Sequence, residues 1–196
     1  MVTKREVIHK DIPVLEWKTQ KAFERWLAKH HEREEGIWIK FAKKASAAKT
    51  LSYEEAREAA IIWGWIDGLI NKWDDDYCIR RFTARRKRSK WSQINRDIAQ
   101  TLIDEGRMSP AGLAQVELAQ ADGRWAMAYA GSADIEEPED FKAALRRSKR
   151  ASAAYKEITR AARYHILYQI HDAKRADTRK RRIDKFVKML AAGESL

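Results

Sequence analysis

SYEEAREAAIIWGWIDGLINKWDDDYCIRRFTA, residues 52–84, changes its structural period in mid-course, and that change decides the fold. Ser52 followed three residues later by Glu55 is a capping box, in which each side chain satisfies an orphan amide of the other's turn. The helix it opens, EEAREAAIIW, stops at Gly64, a residue suited to the left-handed C-terminal position. WIDGLINKW then reads as a strand, DDD at 74–76 as a turn, and YCIRRFTARR as the antiparallel return strand. On that return Tyr77, Ile79 and Arg81 share one side, and Cys78, Arg80 and Phe82 the other.

Upstream, IPVLEW at 12–17 reads as a strand and Thr19 as the N-cap of a helix over about 20–31. Ala22, Phe23, Trp26 and Leu27 form its apolar face. GIWIKFAKK, from Gly36, alternates Ile37, Ile39 and Phe41 with Trp38 and Lys40, as a half-buried strand does. Beyond Trp91 strand signals cease. Ser92 caps a helix ending at Gly106, and Ser109 with Pro110 opens another ending at Gly123. Pro138 opens a third, to about Arg147. Helices are then expected from about 150 to 174 and from about 178 to 191. The class is α+β: a mixed N-terminal half with about four strands, then a helical half. The expected divisions are a small α/β domain at 1–92, a helical connector packed on it at 93–137, and a helical module at 138–196.

Cys78 is the one cysteine among 196 residues, so an internal disulfide and a cysteine-based metal site are both excluded. The longest apolar run, AAIIWGWI at 59–66, is far short of a membrane span, and the first residues lack the apolar stretch of a signal peptide. The expected location is the cytoplasm, with no integral membrane segment. The net charge of +11 is segregated. Residues 1–79 balance, 80–90 carry +7, 91–141 carry −7, and 142–188 carry +12. Such segregation creates a basic face for polyanions, or lets the acidic segment neutralise its basic neighbours.

RRFTARRKRSKW, residues 80–91, concentrates this charge between aromatics. Arginines with interleaved Phe82 and Trp91 suit phosphates with a stacked base, and Ser89 and Ser92 add hydroxyls beside a helix start. The candidate anion or ligand residues are Trp65, Asp67, Arg81, Arg85, Arg88, Ser89 and Trp91. Asp67, in GWIDG, reads either as a general base or as an ion-pair partner of Arg81 or Arg85. An enzyme reading would place it in a cleft lined by Trp65, Trp73 and Trp91. No catalytic residue can be named, since nucleophile, metal and cofactor signatures are absent. His30 and His31 are adjacent, and His165 and His171 lie on different helix faces. No metal and no cofactor are expected. The last helix, with Ile183, Phe186, Val187 and Leu190 opposite Arg179, Lys180, Arg182, Lys185 and Lys188, suits packing, a nucleic acid or a membrane surface.

GWIDG (64–68), RRFTARRKRSKWSQIN (80–95), EGRMSPAGL (105–113) and AKRADTRKRRIDKFVKMLAAGE (173–194), in that order, resemble the YdeI/OmpD-associated, or bacteriocin-protection, family over nearly the whole chain. The family's FTPRK is Phe82-Thr83-Ala84-Arg85-Arg86 here, and Ile62-Trp63 stands where it has a Leu-Cys-like pair. The last block resembles that family's C-terminal helical module. The resemblance implies a non-enzymatic protein linked to protection against bacteriocins or cationic antimicrobial peptides. The alternatives from the residues themselves are binding of an anion, phosphate ligand or nucleic acid through 80–92, and an enzyme using Asp67. A cationic peptide would be repelled by +11, and only DIEEPED (134–140) offers it an acidic strip.

Overall fold

The structure, a computed structural model, describes residues 7–194. The first six residues, part of the stretch read as lacking a signal peptide, and the last two lie outside the described residues. The described residues form two compact units, divided between Ala128 and Tyr129. The class is α+β.

In the first unit the elements run β1 (Ile8–His9), β2 (Ile12–Leu15), α1 (Gln20–His30), β3 (Ile37–Ala42), α2 (Tyr53–Ile62), β4 (Trp65–Lys72), β5 (Tyr77–Ala84), α3 (Gln93–Asp104) and α4 (Pro110–Ala121). The strands make one sheet in the order β1-β2-β3-β5-β4. Only β2 and β3 are parallel, and a parallel pair needs a crossover, which α1 supplies. The two-residue β1 is a fifth strand beyond the four expected.

Phe23 and Leu27 of α1 and Ala56, Ala59 and Ala60 of α2 bury one sheet face together with Ile37, Ile39, Phe41, Trp65 and Phe82. The expected half-buried β3 is in fact covered on both sides. Trp38, on its other face, is buried with Val14 and Ile79 and is flanked by Ile12 and Trp73. The β1–β2 ribbon folds the His9 ring edge-on to Trp38, 5.0 Å away between centroids. Alternation within β3 could not foresee a cover supplied from sequence-distant β1, β2 and β5.

Helix α2 ends as its sequence dictates: both bonds of the Ser52–Glu55 capping box form, and Gly64 takes φ +71°. Its last turn is stitched to α4. Ser109 Oγ donates to the Ile62 carbonyl at 2.6 Å and accepts from the Gly112 amide at 3.1 Å, so one hydroxyl serves two helix ends. A Cβ at Gly112 would stand 2.2 Å from that same carbonyl oxygen. Behind this junction Ile61, Ile62, Trp91, Ala99, Leu102 and Val116 form a separate buried cluster.

The second unit is helical: α5 (Glu139–Arg146), α6 (Lys149–Glu157), α7 (Arg160–His171) and α8 (Ala176–Ala192). The single helix expected over 150–174 is broken. Ile158 turns extended (φ −70°, ψ 151°), and the Thr159 hydroxyl accepts the Ala162 amide to begin α7. The break allows α6 and α7 to fold onto Phe141 and α8 separately, with Tyr155, Ile166, Leu167 and Ile170 in one core. The α8 stripe of Ile183, Phe186 and Leu190 is buried in that core, which accounts for its apolar face without a membrane. Among the described residues no helix is long and apolar enough to cross a membrane.

Candidate functional site

The alternation of β4 and β5 decides where the arginines of 80–91 go. Asp67 lies opposite Phe82, on the face that Arg80 shares, so its partner is Arg80 and not Arg81 or Arg85. Arg80 Nη1 donates to Asp67 Oδ2 at 2.7 Å, and the Tyr53 hydroxyl donates to the same oxygen at 2.9 Å. The Arg80 guanidinium also stacks on the Tyr53 ring, 4.0 Å from its centroid. Burial, and then the Asp67 charge, push the Tyr53 hydroxyl above its ordinary range. Asp67 is therefore held as an acceptor by two donors.

Arg81 points to the opposite side. It donates to the carbonyls of Ile37 (3.0 Å), Phe82 (3.3 Å) and Glu35, tying the turn at Gly36 to the sheet. Burial, followed by the nearby guanidiniums of Arg86 and Arg33, lowers it from the usual arginine range. Arg85 is buried, at 6 % exposure. It stacks 3.5 Å over the Trp91 ring and donates to the Lys90 carbonyl at 3.1 Å. Trp65, Trp91 and Trp73 belong to three different hydrophobic clusters, and Trp65 and Trp91 are fully buried in theirs. The Trp65 indole donates to the His31 carbonyl at 2.6 Å.

The exposed part of the segment is its tip. Arg86, Lys87 and Arg88 project from a turn closed by Ser89: the Arg86 amide donates to Ser89 Oγ at 2.9 Å and the Ser89 amide to the Arg86 carbonyl at 2.8 Å. Arg124 fixes this turn by donating to the Ser89 carbonyl at 2.7 Å while paired with Asp122. Ser92 caps α3. The seven residues proposed as one site thus divide into two core indoles (Trp65 and Trp91), an ion-paired carboxylate (Asp67), two structural arginines (Arg81 and Arg85) and an exposed cationic turn (Arg88 and Ser89).

Two of the five acids of the strip 134–140 are engaged within the chain, while Asp134 and Glu136 face solvent. Asp140 is gripped by Arg179 of α8 through two bonds of 2.6 and 3.0 Å, which hold its carboxyl below the usual range. Glu139 pairs with Lys142 at 2.8 Å. Glu137 turns toward a groove.

That groove includes two adjoining hollows of about 280 and 340 Å³, which share Glu137 and Arg163, and the first runs into a third of about 540 Å³ through Ser132, Arg160 and Tyr164. The first is floored by Ile135, Tyr164 and Leu167, with Ser132 and Arg160 at its mouth. The second carries Lys142, Arg146, Lys156 and Tyr155. Tyr155 is only 5 % exposed, and its hydroxyl has no hydrogen-bond partner. Burial and then the Glu137 carboxylate, close but outside hydrogen-bond geometry, push it far above the ordinary tyrosine range; Arg163 opposes them. Arg163 lies 4.9 Å from the Tyr155 ring and donates to its backbone carbonyl at 3.3 Å. The sequence signal for this grouping is the β-branched pair Ile158-Thr159, which ends α6 and sets Tyr155 and Arg163 on different helices. Among the described residues no three His, Cys, Asp or Glu side chains gather as metal ligands.

Two family models match the chain. Residues 15–115, just over half of it, match "Domain of unknown function (DUF8412)". Residues 134–193 match "Bacteriocin-protection, YdeI or OmpD-Associated". The second match is narrower than the whole-chain resemblance expected from the motifs, since GWIDG and the arginine segment fall within the first. No curated protein and no solved structure matches the chain. The chain therefore belongs to the DUF8412 family through its α/β portion, and carries at its C-terminus a bacteriocin-protection, YdeI or OmpD-associated domain.

Proposed function

We propose that this is a cytoplasmic, non-enzymatic protein associated with protection against bacteriocins or cationic antimicrobial peptides, acting by binding and not by direct capture of the peptide. The match of residues 134–193 to the bacteriocin-protection family carries the reading. The charge distribution supports the second half: two of the five acids of the strip 134–140, Glu139 and Asp140, already hold cations of the chain, and the chain as a whole is +11. The lone cysteine supports the cytoplasm. The test has two arms. Bacteria expressing the full chain should survive a cationic antimicrobial peptide better than an empty-vector control, while the purified protein fails to bind that peptide at low salt, where charge attraction is strongest. Unchanged survival defeats the protection reading; tight peptide binding defeats the indirect one.

A second reading rests on the exposed turn at Arg86, Lys87 and Arg88, braced by Ser89 and Arg124. Three cations held on one turn suit the phosphates of a nucleic acid. If all three engage, affinity falls with a log–log salt slope of about −3. Fluorescence anisotropy on DNA and RNA at two salt concentrations measures it. Equal binding by Arg86→Ala/Arg88→Ala eliminates this surface.

A further inference from the structure

We infer that the groove between α5, α6 and α7 binds a small phosphate monoester that also carries a hydroxyl group. The site stands on its own geometry and does not depend on the protection reading. Its walls carry Lys142, Arg146, Lys156 and Arg163 against a single carboxylate, Glu137, so an anion is drawn in and a cation repelled. Lys142 is committed to Glu139, which leaves Arg146, Lys156 and Arg163 for the ligand. Guanidinium forks match the oxygens of a phosphate better than a single carboxylate fills them.

Two further groups specify the ligand. The buried Tyr155 hydroxyl makes no well-formed hydrogen bond although the Glu137 carboxylate stands near it, and a phosphate oxygen at the end of this hollow offers it a better-placed acceptor. Glu137, between the hollows, is an acceptor and would repel a bare anion, but it suits a ligand hydroxyl placed beside the phosphate. The smaller hollow beyond it, lined by Tyr164, Leu167 and Ile135, is then occupied by the body of the ligand. The volumes are those of a small-molecule site.

The test is calorimetric titration of the full chain with glycerol 3-phosphate, using sodium chloride at equal ionic strength and glycerol as controls. Saturable binding is expected for the phosphate ester alone. Arg146→Ala/Lys156→Ala removes two exposed side chains and should leave the melting temperature unchanged while weakening binding by at least about tenfold. Tyr155→Phe should weaken binding several-fold without lowering the melting temperature, a combination that a purely structural tyrosine does not give. Absence of saturable binding, equal binding of chloride, or full affinity in the double variant overturns the proposal.

Discussion

Replacing Asp67 by alanine tests the central ion pair. The Asp67 and Arg80 side chains are 15 % and 23 % exposed and meet at 2.7 Å. At an effective dielectric of about 20, opposite charges some 4 Å apart attract by about 4 kcal/mol, and desolvation cancels much of that. The loss in the variant is larger than the net value of the pair, because Arg80 and the Tyr53 hydroxyl are both left without their acceptor. Breaking a fully buried pair costs about 3–5 kcal/mol, and residual exposure brings the expectation here to about 2–3 kcal/mol. Arg80→Met should cost somewhat less, since Asp67 keeps Tyr53. The double variant should recover about 1–2 kcal/mol relative to the sum, because neither charge is then stranded. Urea unfolding of all four proteins, followed by tryptophan fluorescence, measures the cycle. A loss below about 0.5 kcal/mol in Asp67→Ala, or a coupling near zero, refutes the structural role of this carboxylate and reopens its use as a base.

Gly112→Ala should destabilise the first unit by about 1–3 kcal/mol, at the upper end, because the new Cβ meets the Ile62 carbonyl oxygen at 2.2 Å and backbone cannot yield as a side chain does; chemical denaturation checks it. Ser52→Ala should cost about 1 kcal/mol by removing the capping box of α2, read in the same assay. Tyr53, Tyr155 and Tyr164 all have raised folded-state values, so their stabilising contribution is complete below pH 10 and is lost as the pH climbs from 10 through those values; stability measured against tyrosinate absorbance should fall in that window, and less so in Tyr53→Phe. Asp140 has the opposite sign: its contribution is present above its unfolded value of 3.8 and is lost as the pH falls through the lower folded one, and Arg179→Met should flatten that acid limb.

Local signals were sufficient wherever the determining atoms lie within one turn of each other. The capping box at Ser52–Glu55, the stop at Gly64, the caps at Thr19, Ser92 and Ser109, and the β4–β5 hairpin all formed where the residues place them, because amides, hydroxyls and φ angles act over a few residues. The apolar stripe of α8 likewise identified its core face. Tertiary structure decided what crosses sequence distance. The pairing of Asp67 with Arg80 depends on strand register, since a step of one residue exchanges Arg80 for Arg81 and moves the guanidinium through the sheet. The cover over Trp38 comes from strands that do not adjoin it in the chain, and the groove at Tyr155 and Arg163 exists only because Ile158 leaves the helix. Composition set the charge of the arginine segment, but only packing chose which guanidiniums hold the fold together and which face water, because a buried cation must find an acceptor and an exposed one need not.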